Sequence, residues 1–171
     1  MKQMHHVALA VLLSVGASTV TTQSYAVATD TATNADAAPS IQGVFRSVDD
    51  KTGFSRGLTE IKIENGEVKG WIIKTIPRPN YTPKSHCTGC PAPYTDKPVV
   101  GLQVISGMKA VEGNPYEFRG GHVLDPVSGK LYRCVLTLSR DGRKLKVRGY
   151  VGTPIMGRTQ FWLREDHPER F

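Results

Sequence analysis

Residues 130–151 read KLYRCVLTLSRDGRKLKVRGYV, and this stretch decides the fold. In its first part every second side chain is apolar: Tyr132, Cys134, Leu136 and Leu138. After the turn-forming pair Asp141-Gly142 the alternation resumes, with Leu145, Val147 and Val151 opposite Lys146, Arg148 and Tyr150. A period of two is typical of a β-strand with one buried face, so these two runs around a short turn predict an antiparallel hairpin.

Similar runs occur on both sides of this hairpin. The complete set predicts eight strands, at residues 41–47, 58–64, 67–74, 99–105, 116–124, 130–138, 144–151 and 158–164. Asn65-Gly66 joins two of them, and this dipeptide favours the positive φ angles of a type I′ turn. Gly120-Gly121 interrupts another strand and indicates a bulge or a close approach of two backbones. A turn region is expected from Gly107 to residues 113–115.

The pattern predicts an all-β fold, an antiparallel eight-stranded up-and-down barrel. Closure into a barrel removes the two exposed edges of the sheet. The interior of an eight-stranded barrel is either filled by side chains or holds one small ligand. A two-sheet sandwich is the alternative, because the number of strands does not distinguish the two.

Residues 75–98, TIPRPNYTPKSHCTGCPAPYTDKP, contain six prolines. Proline removes a backbone donor and fixes φ, so this density excludes both a helix and a central strand. Long loops without regular structure are usually functional or disordered. We therefore expect a single long loop, which is a candidate functional segment.

The N-terminus predicts export. A positive start, the apolar run VALAVLLSVG at residues 7–16 and the cleavage pattern Ser24-Tyr25-Ala26 indicate a signal peptide at residues 1–26. We expect a disordered leader at 27–39, the barrel domain at 40–165 and a charged tail at 166–171. The product would be periplasmic or secreted after cleavage near Ala26. About ten apolar residues are too few to span a membrane that needs about 20, so we expect no membrane-spanning segment after cleavage.

The chain is basic, with 22 lysines and arginines against 15 aspartates and glutamates and a formal net charge of +7. The basic residues are scattered, without a run of five, which favours an ordinary solvated surface. Export makes nucleic acid an unlikely partner, so none is expected. A small hydrophobic or anionic amphiphilic ligand is the expected partner, and the oligomeric state is left open.

Three cysteines, Cys87, Cys90 and Cys134, allow at most one internal disulfide. An oxidising compartment favours a bridge, either Cys87–Cys90 or one of these to Cys134. A metal site could use His86, Cys87 and Cys90 with a fourth ligand from Cys134, His122 or Asp96. A redox pair is the third interpretation, although no helix is available to stabilise a thiolate. We expect no cofactor and leave the metal open.

No arrangement of residues predicts catalysis, because there is no nucleophile elbow and no phosphate-binding loop. We expect a binding protein rather than an enzyme and assign no catalytic residues. The candidates for ligand binding are aromatic and arginine side chains of the last strands: Tyr132, Arg148, Tyr150, Arg158 and Trp162. Ordinary cross-strand packing is the competing explanation for these residues.

Several segments together resemble a known family. They are IQGVF at 41–45, CTGC at 87–90, PVVGL at 98–102, GGHVLDP at 120–126, GKLY at 129–132, VRGYVG at 147–152 and GRTQ at 157–160 with Trp162. The chain resembles, over about residues 41–164, the uncharacterised exported bacterial family catalogued as domain of unknown function 2147. The resemblance implies a periplasmic, lipocalin-like (calycin-type) barrel and brings no established activity.

The resemblance also implies a pair of residues that closes the barrel. Lipocalin-like barrels favour Gly-x-Trp near the start, with a basic side chain of the last strand over the ring. Here Gly43-Val44-Phe45 carries phenylalanine, and Arg164 is the expected cation. Tryptophan is the better cation–π partner, so this departure weakens the contact.

These observations support three hypotheses. The first is a lipocalin-like module that binds a small apolar or amphipathic ligand. The second is a structural or envelope-interaction protein whose barrel core is filled. The third is a metal or thiol site at Cys87, Cys90 and His86.

Overall fold

The computed structural model describes residues 38–171. The predicted signal peptide, residues 1–26, and residues 27–37 of the predicted leader lie outside the described residues. The described part forms one antiparallel sheet of nine strands: β1 (Gly43–Val48), β2 (Ser55–Glu64), β3 (Glu67–Thr75), β4 (Gln103–Val111), β5 (Asn114–Arg119), β6 (His122–Asp125), β7 (Lys130–Leu138), β8 (Lys144–Tyr150) and β9 (Arg158–Arg164).

The sheet closes on itself. β1 pairs with β9, and β3 pairs with β4, so every neighbour around the ring is hydrogen-bonded. β5 and β6 both lie between β4 and β7, and they are therefore two halves of one interrupted strand. The closed antiparallel eight-stranded barrel is confirmed, and the sandwich alternative is wrong.

Local turn chemistry explains several connections. Asn65 and Gly66 have φ angles of 53° and 75°, as a type I′ turn requires, and they join β2 to β3. The hairpin of β7 and β8 runs from Leu138 paired with Leu145 to Arg133 paired with Tyr150. The predicted turn at Asn65-Gly66 and the predicted hairpin at residues 130–151 are both confirmed. Two short 3₁₀ turns, Pro154–Met156 and Pro168–Arg170, are the only helical segments among residues 38–171.

The predicted strand at residues 99–105 is wrong in its position. The structure has turns at residues 99–101, and β4 begins at Gln103 and continues through Gly107. Gly107 has a φ of +67° within the strand, where it faces the backbone of Gly121. This glycine permits a close approach of two strands instead of making a turn.

Large apolar side chains fill one end of the barrel. Phe45, Ile61, Met108, Leu136 and Leu145 are almost completely buried there. They come from the start of β1, the end of β2 and the end of β4, and from the middle of β7 and the start of β8. At the opposite end, which we call the mouth, the interior is not filled and opens as a cavity.

Candidate ligand cavity

The cavity has a volume of about 310 Å³. Its walls come from eight strands, β1–β4 and β6–β9, with one residue each from β1 (Ser47), β4 (Val104) and β7 (Tyr132). The loop between β3 and β4 contributes Tyr81, Pro83, Lys84 and Val99. A pocket of this size lies at the lower end of the range for small-molecule sites.

The deep part of the cavity is apolar. Aliphatic side chains and one indole surround it: Leu58, Ile72, Val104, Leu124, Val147 and Trp162. Two polar residues lie among them, the buried Thr59 and the half-buried Gln160. The indole Nε1 of Trp162 donates to Oε1 of Gln160 over 3.4 Å. This lining suits a mainly apolar molecule that presents one or two polar groups.

Basic side chains surround the mouth. Arg56, Lys74, Lys84 and Arg158 line the cavity, whereas Asp125 is the only acidic residue of its lining. The Asp125 carboxylate is engaged within the β6–β7 turn, where it accepts hydrogen bonds from the backbone of Val127 and the hydroxyl of Ser128 at 3.0 and 2.9 Å.

The four mouth cations differ in how they are neutralised. Arg158 binds Asp50, with 3.0 Å from Nε to Oδ2, and Arg56 lies 3.5 Å from Asp49. Among residues 38–171, Lys74 and Lys84 form no ion pair with a carboxylate. The mouth therefore offers uncompensated positive charge to a ligand.

Four of the five predicted binding residues line this cavity: Tyr132, Tyr150, Arg158 and Trp162. The fifth, Arg148, does not, which corrects the prediction. Its guanidinium points away from the lumen and donates to Pro154 O, Ile155 O and Thr159 Oγ1 at 2.7, 3.1 and 2.8 Å. Arg148 follows the inward-facing Val147, and consecutive residues of a strand face opposite sides.

Sequence reasoning missed the lysines and the loop tyrosine of the cavity: Lys74, Lys84 and Tyr81. Lys74 lies near the end of β3, beyond the regular alternation. Tyr81 and Lys84 belong to the proline-rich loop, whose length and lack of periodicity identified it as a segment of interest. No local pattern indicates which of its side chains reach the barrel.

Cys87 and Cys90 form a disulfide, with 5.6 Å between their Cα atoms, and both are buried. Their loop packs on the β6–β7 turn so tightly that a Cβ at Gly129 would collide with the carbonyl of Gly89. The bridge therefore stabilises a segment that abuts the mouth.

Cys134 is a free thiol buried inside the barrel, so the predicted bridge to Cys134 is wrong. Burial raises the pKa of Cys134 to about 12. The thiol is protonated at neutral pH and is a poor nucleophile or metal ligand.

The structure does not assemble the predicted metal ligands. His86 is exposed and lies 3.1 Å from the hydroxyl of Ser85, while Cys87 and Cys90 are bonded to each other. Within residues 38–171, no group of three or more His, Cys, Asp or Glu side chains is arranged to hold a metal ion.

The predicted closing pair lies at the filled end. The Arg164 guanidinium carbon is 4.6 Å from the centre of the Phe45 ring, and Phe45 is fully buried. The same guanidinium donates to the carbonyls of Ser40, Gln42 and Gly142 at 2.6, 2.7 and 2.7 Å. Arg164 thus ties the chain before β1 to the β7–β8 turn.

A closed eight-stranded barrel with one filled end and one open cavity defines a lipocalin-like protein. The family of uncharacterised proteins conserved in bacteria, DUF2147, matches residues 43–164, and the chain belongs to this family. Protein HP1028 from the human pathogen Helicobacter pylori, described as belonging to the lipocalin family, has a similar solved structure. The two share 20% sequence identity and a TM-score of 0.62 over 76% of this chain and 86% of that one. No curated protein matches the chain.

No helix of residues 38–171 has both the length and the apolar character needed to cross a membrane.

Proposed function

We propose that this protein binds a small amphipathic molecule, with the apolar part in the barrel and an anionic head group at the mouth. The observation that carries the proposal is the polarity of the cavity, apolar around Trp162 and basic at Lys74 and Lys84. At about 30 Å³ for each non-hydrogen atom, the volume accommodates roughly ten such atoms. A tail of eight to ten carbons with its head outside fits this space.

Two physical terms support the proposal. Burial of an alkyl tail contributes about 0.8 kcal/mol for each CH₂ group removed from water. A carboxylate or phosphate next to Lys74 and Lys84 adds charge-assisted hydrogen bonds, which are stronger than neutral ones. The alternative of a wholly filled core does not fit a cavity of about 310 Å³.

Trp162 supplies a direct probe of binding. The chain has two tryptophans, and Trp71 lies on the outer face of β3, so the variant Trp71→Phe leaves Trp162 as the sole tryptophan, which is excited selectively over tyrosine at the red edge of its absorption. We would titrate this variant with decanoate, 1-decanol and decylammonium, which share a tail and differ in head-group charge. We expect Trp162 emission to change with all three, and the order of affinity to be decanoate, then decanol, then decylammonium.

Removal of both lysines tests the role of charge. In a Lys74→Gln, Lys84→Gln background we expect decanoate affinity to fall roughly tenfold and decanol affinity to stay the same. A decanoate affinity unaffected by the two substitutions would disprove the head-group assignment. Absence of any emission change with all three compounds would disprove the ligand site itself.

We further propose that the cell exports the chain and removes residues 1–26. The apolar run at 7–16 and the Ser24-Tyr25-Ala26 pattern support this proposal. Intact mass spectrometry of chain purified from the native host would give 145 of the 171 residues, less two hydrogens for one disulfide. Recovery of the uncleaved chain would refute it.

A further inference from the structure

The three most exposed large apolar side chains among residues 38–171 lie in one loop. Ile155, Met156 and Val151 are 86%, 81% and 70% exposed, and all belong to residues 151–157 between β8 and β9. Single exposed apolar side chains are common, but a cluster of them in one short loop indicates an interaction site. We call residues 151–157 the tip.

The conformation of the tip is held by specific contacts. The three hydrogen bonds of Arg148 reach the carbonyls of Pro154 and Ile155 and the hydroxyl of Thr159. The backbone N–H groups of Met156 and Gly157 close a 3₁₀ turn. These contacts hold Ile155 and Met156 outward, so the fold itself keeps the two side chains exposed.

The tip belongs to the mouth of the barrel. Val151 and Met156 line the cavity, as does Val127 of the β6–β7 turn, which is itself 39% exposed. Lys84 donates to the carbonyl of Val127 over 3.1 Å. Apolar side chains on two different turns therefore flank the same opening.

Positive charge accompanies these apolar side chains. Arg148 lies under the tip, Arg158 follows it directly, and Lys84 adjoins Val127. Asp50 neutralises Arg158, but Arg148 and Lys84 form no ion pair with a carboxylate in the described part of the chain. Residues 38–171 as a whole carry 21 basic and 13 acidic side chains.

We propose that the tip docks the mouth of the barrel onto an anionic lipid bilayer. Ile155 and Met156 would enter the boundary between head groups and acyl chains, while Lys84 and Arg148 would lie near lipid phosphates. Apolar insertion combined with basic contacts is how peripheral proteins bind such surfaces. The charge complementarity selects a membrane over a second copy of this chain, whose mouth would carry the same positive charge.

Docking goes beyond the proposed function and does not depend on it, because an empty barrel presents the same tip. The transfer of a ligand between membrane and barrel, which docking would allow, does rest on the proposed function. With the mouth against lipid, an amphipathic molecule would move between bilayer and cavity without crossing bulk water.

Vesicle flotation tests the proposal with the chain as the cell delivers it. Vesicles of phosphatidylcholine containing about 30% phosphatidylglycerol, whose negative surface potential attracts basic side chains, would be compared with phosphatidylcholine alone. The test variant is Ile155→Ser with Met156→Ser. The control is Ile63→Ser, which is 43% exposed beside the β2–β3 turn at the opposite end of the barrel. All variants share the N-terminal segment, so their differences report on the substituted side chains.

We expect wild type and Ile63→Ser to float with anionic vesicles and much less with neutral ones. The tip variant should partition roughly tenfold or more weakly, because the two apolar side chains that would enter the bilayer are lost. Equal flotation of the tip variant would overturn the proposal, as would equal binding to neutral vesicles. A tip-dependent dimer in light scattering, without flotation, would assign the tip to self-association and would also overturn it.

Discussion

Asp49 is one of two buried polar residues in the described part of the chain. Its Oδ1 accepts hydrogen bonds from the backbones of Lys51 and Thr52 and from the Thr52 hydroxyl at 3.1, 2.9 and 3.0 Å. Its Oδ2 lies 3.5 Å from Arg56 and 3.7 Å from Arg78. Burial opposes ionisation of this carboxyl, but the hydrogen bonds and the charge of Arg56 prevail and lower its pKa from 3.8 to about 2.

Asp49 should therefore make the stability of the protein dependent on acid pH. The pKa is lower in the folded state, so the carboxylate stabilises the fold fully above about pH 4 and loses this contribution between about pH 4 and 2. Asp49→Asn should lose about 2 kcal/mol at pH 7 and flatten that part of the pH profile. Urea unfolding at several pH values measures both effects. The control Asp166→Asn, at an exposed ion pair, should change stability little, and an equal loss there would contradict the argument.

At the scale of single residues, alternation predicts burial only inside the barrel wall. Leu145 and Val147 are buried as expected, yet Val151 on the same predicted face is 70% exposed. Ile63 departs similarly from Ile61, since it lies at the end of β2 where no second layer covers it. The pattern reports which face a side chain occupies, whereas the packing of other segments decides whether that face is covered.

At the scale of elements, the close approach of β4 to the break between β5 and β6 depends on glycine. A Cβ at Gly121 would overlap the carbonyl oxygen of Ser106 and come within 2.6 Å of the backbone nitrogen of Met108. Gly107 faces the same point with a φ of +67°. Sequence reasoning recognised the break at Gly120-Gly121 but interpreted Gly107 as a turn, because a lone glycine signals both features.

Gly121→Ala should consequently destabilise the barrel by about 3 kcal/mol or more, since the clash is with backbone that cannot move aside. Gly113→Ala is the comparison for backbone strain without a clash. Gly113 has a positive φ of +72°, unlike Gly121, and nothing lies within 4 Å of its Cβ position. We expect it to cost only about 1 kcal/mol of strain. Thermal unfolding measures both losses, and a loss at Gly121 no larger than that at Gly113 would show that the backbone clash does not govern this site.

At the scale of the whole molecule, the filled and open ends of the barrel have separate roles. The filled end, with Phe45 under Arg164, contains the packed core. At the mouth, side chains from β2, β3, β9 and the proline-rich loop surround an unfilled space. Packing that space with apolar side chains would stabilise the fold, and the open space is what the proposed ligand site uses.

Ligand binding should therefore stabilise the whole barrel. Decanoate at about 100 times its Kd should raise the free energy of unfolding by about 2.7 kcal/mol, provided that the unfolded chain does not bind it. The midpoint of thermal unfolding, measured against decanoate concentration, gives this shift. Decylammonium at the same concentrations is the control and should give a smaller shift. An unfolding midpoint independent of decanoate would show that the folded chain does not bind it preferentially and would contradict the proposed site.

The sequence by itself determined the strands and hairpins, because a period of two and the turn pairs Asn65-Gly66 and Asp141-Gly142 are local properties of the chain. The pairing of β1 with β9 and of β3 with β4, which closes the barrel and excludes the sandwich, is a tertiary feature. The sequence also identified four aromatic and arginine residues that line the cavity, and it singled out the long loop, which contributes Tyr81, Pro83 and Lys84 to the lining. Only the tertiary structure decided that Cys87 pairs with Cys90, that Lys74 and Lys84 line one opening and that one end of the interior is left open. These features are distances and volumes between segments remote in the chain, and no local pattern encodes them.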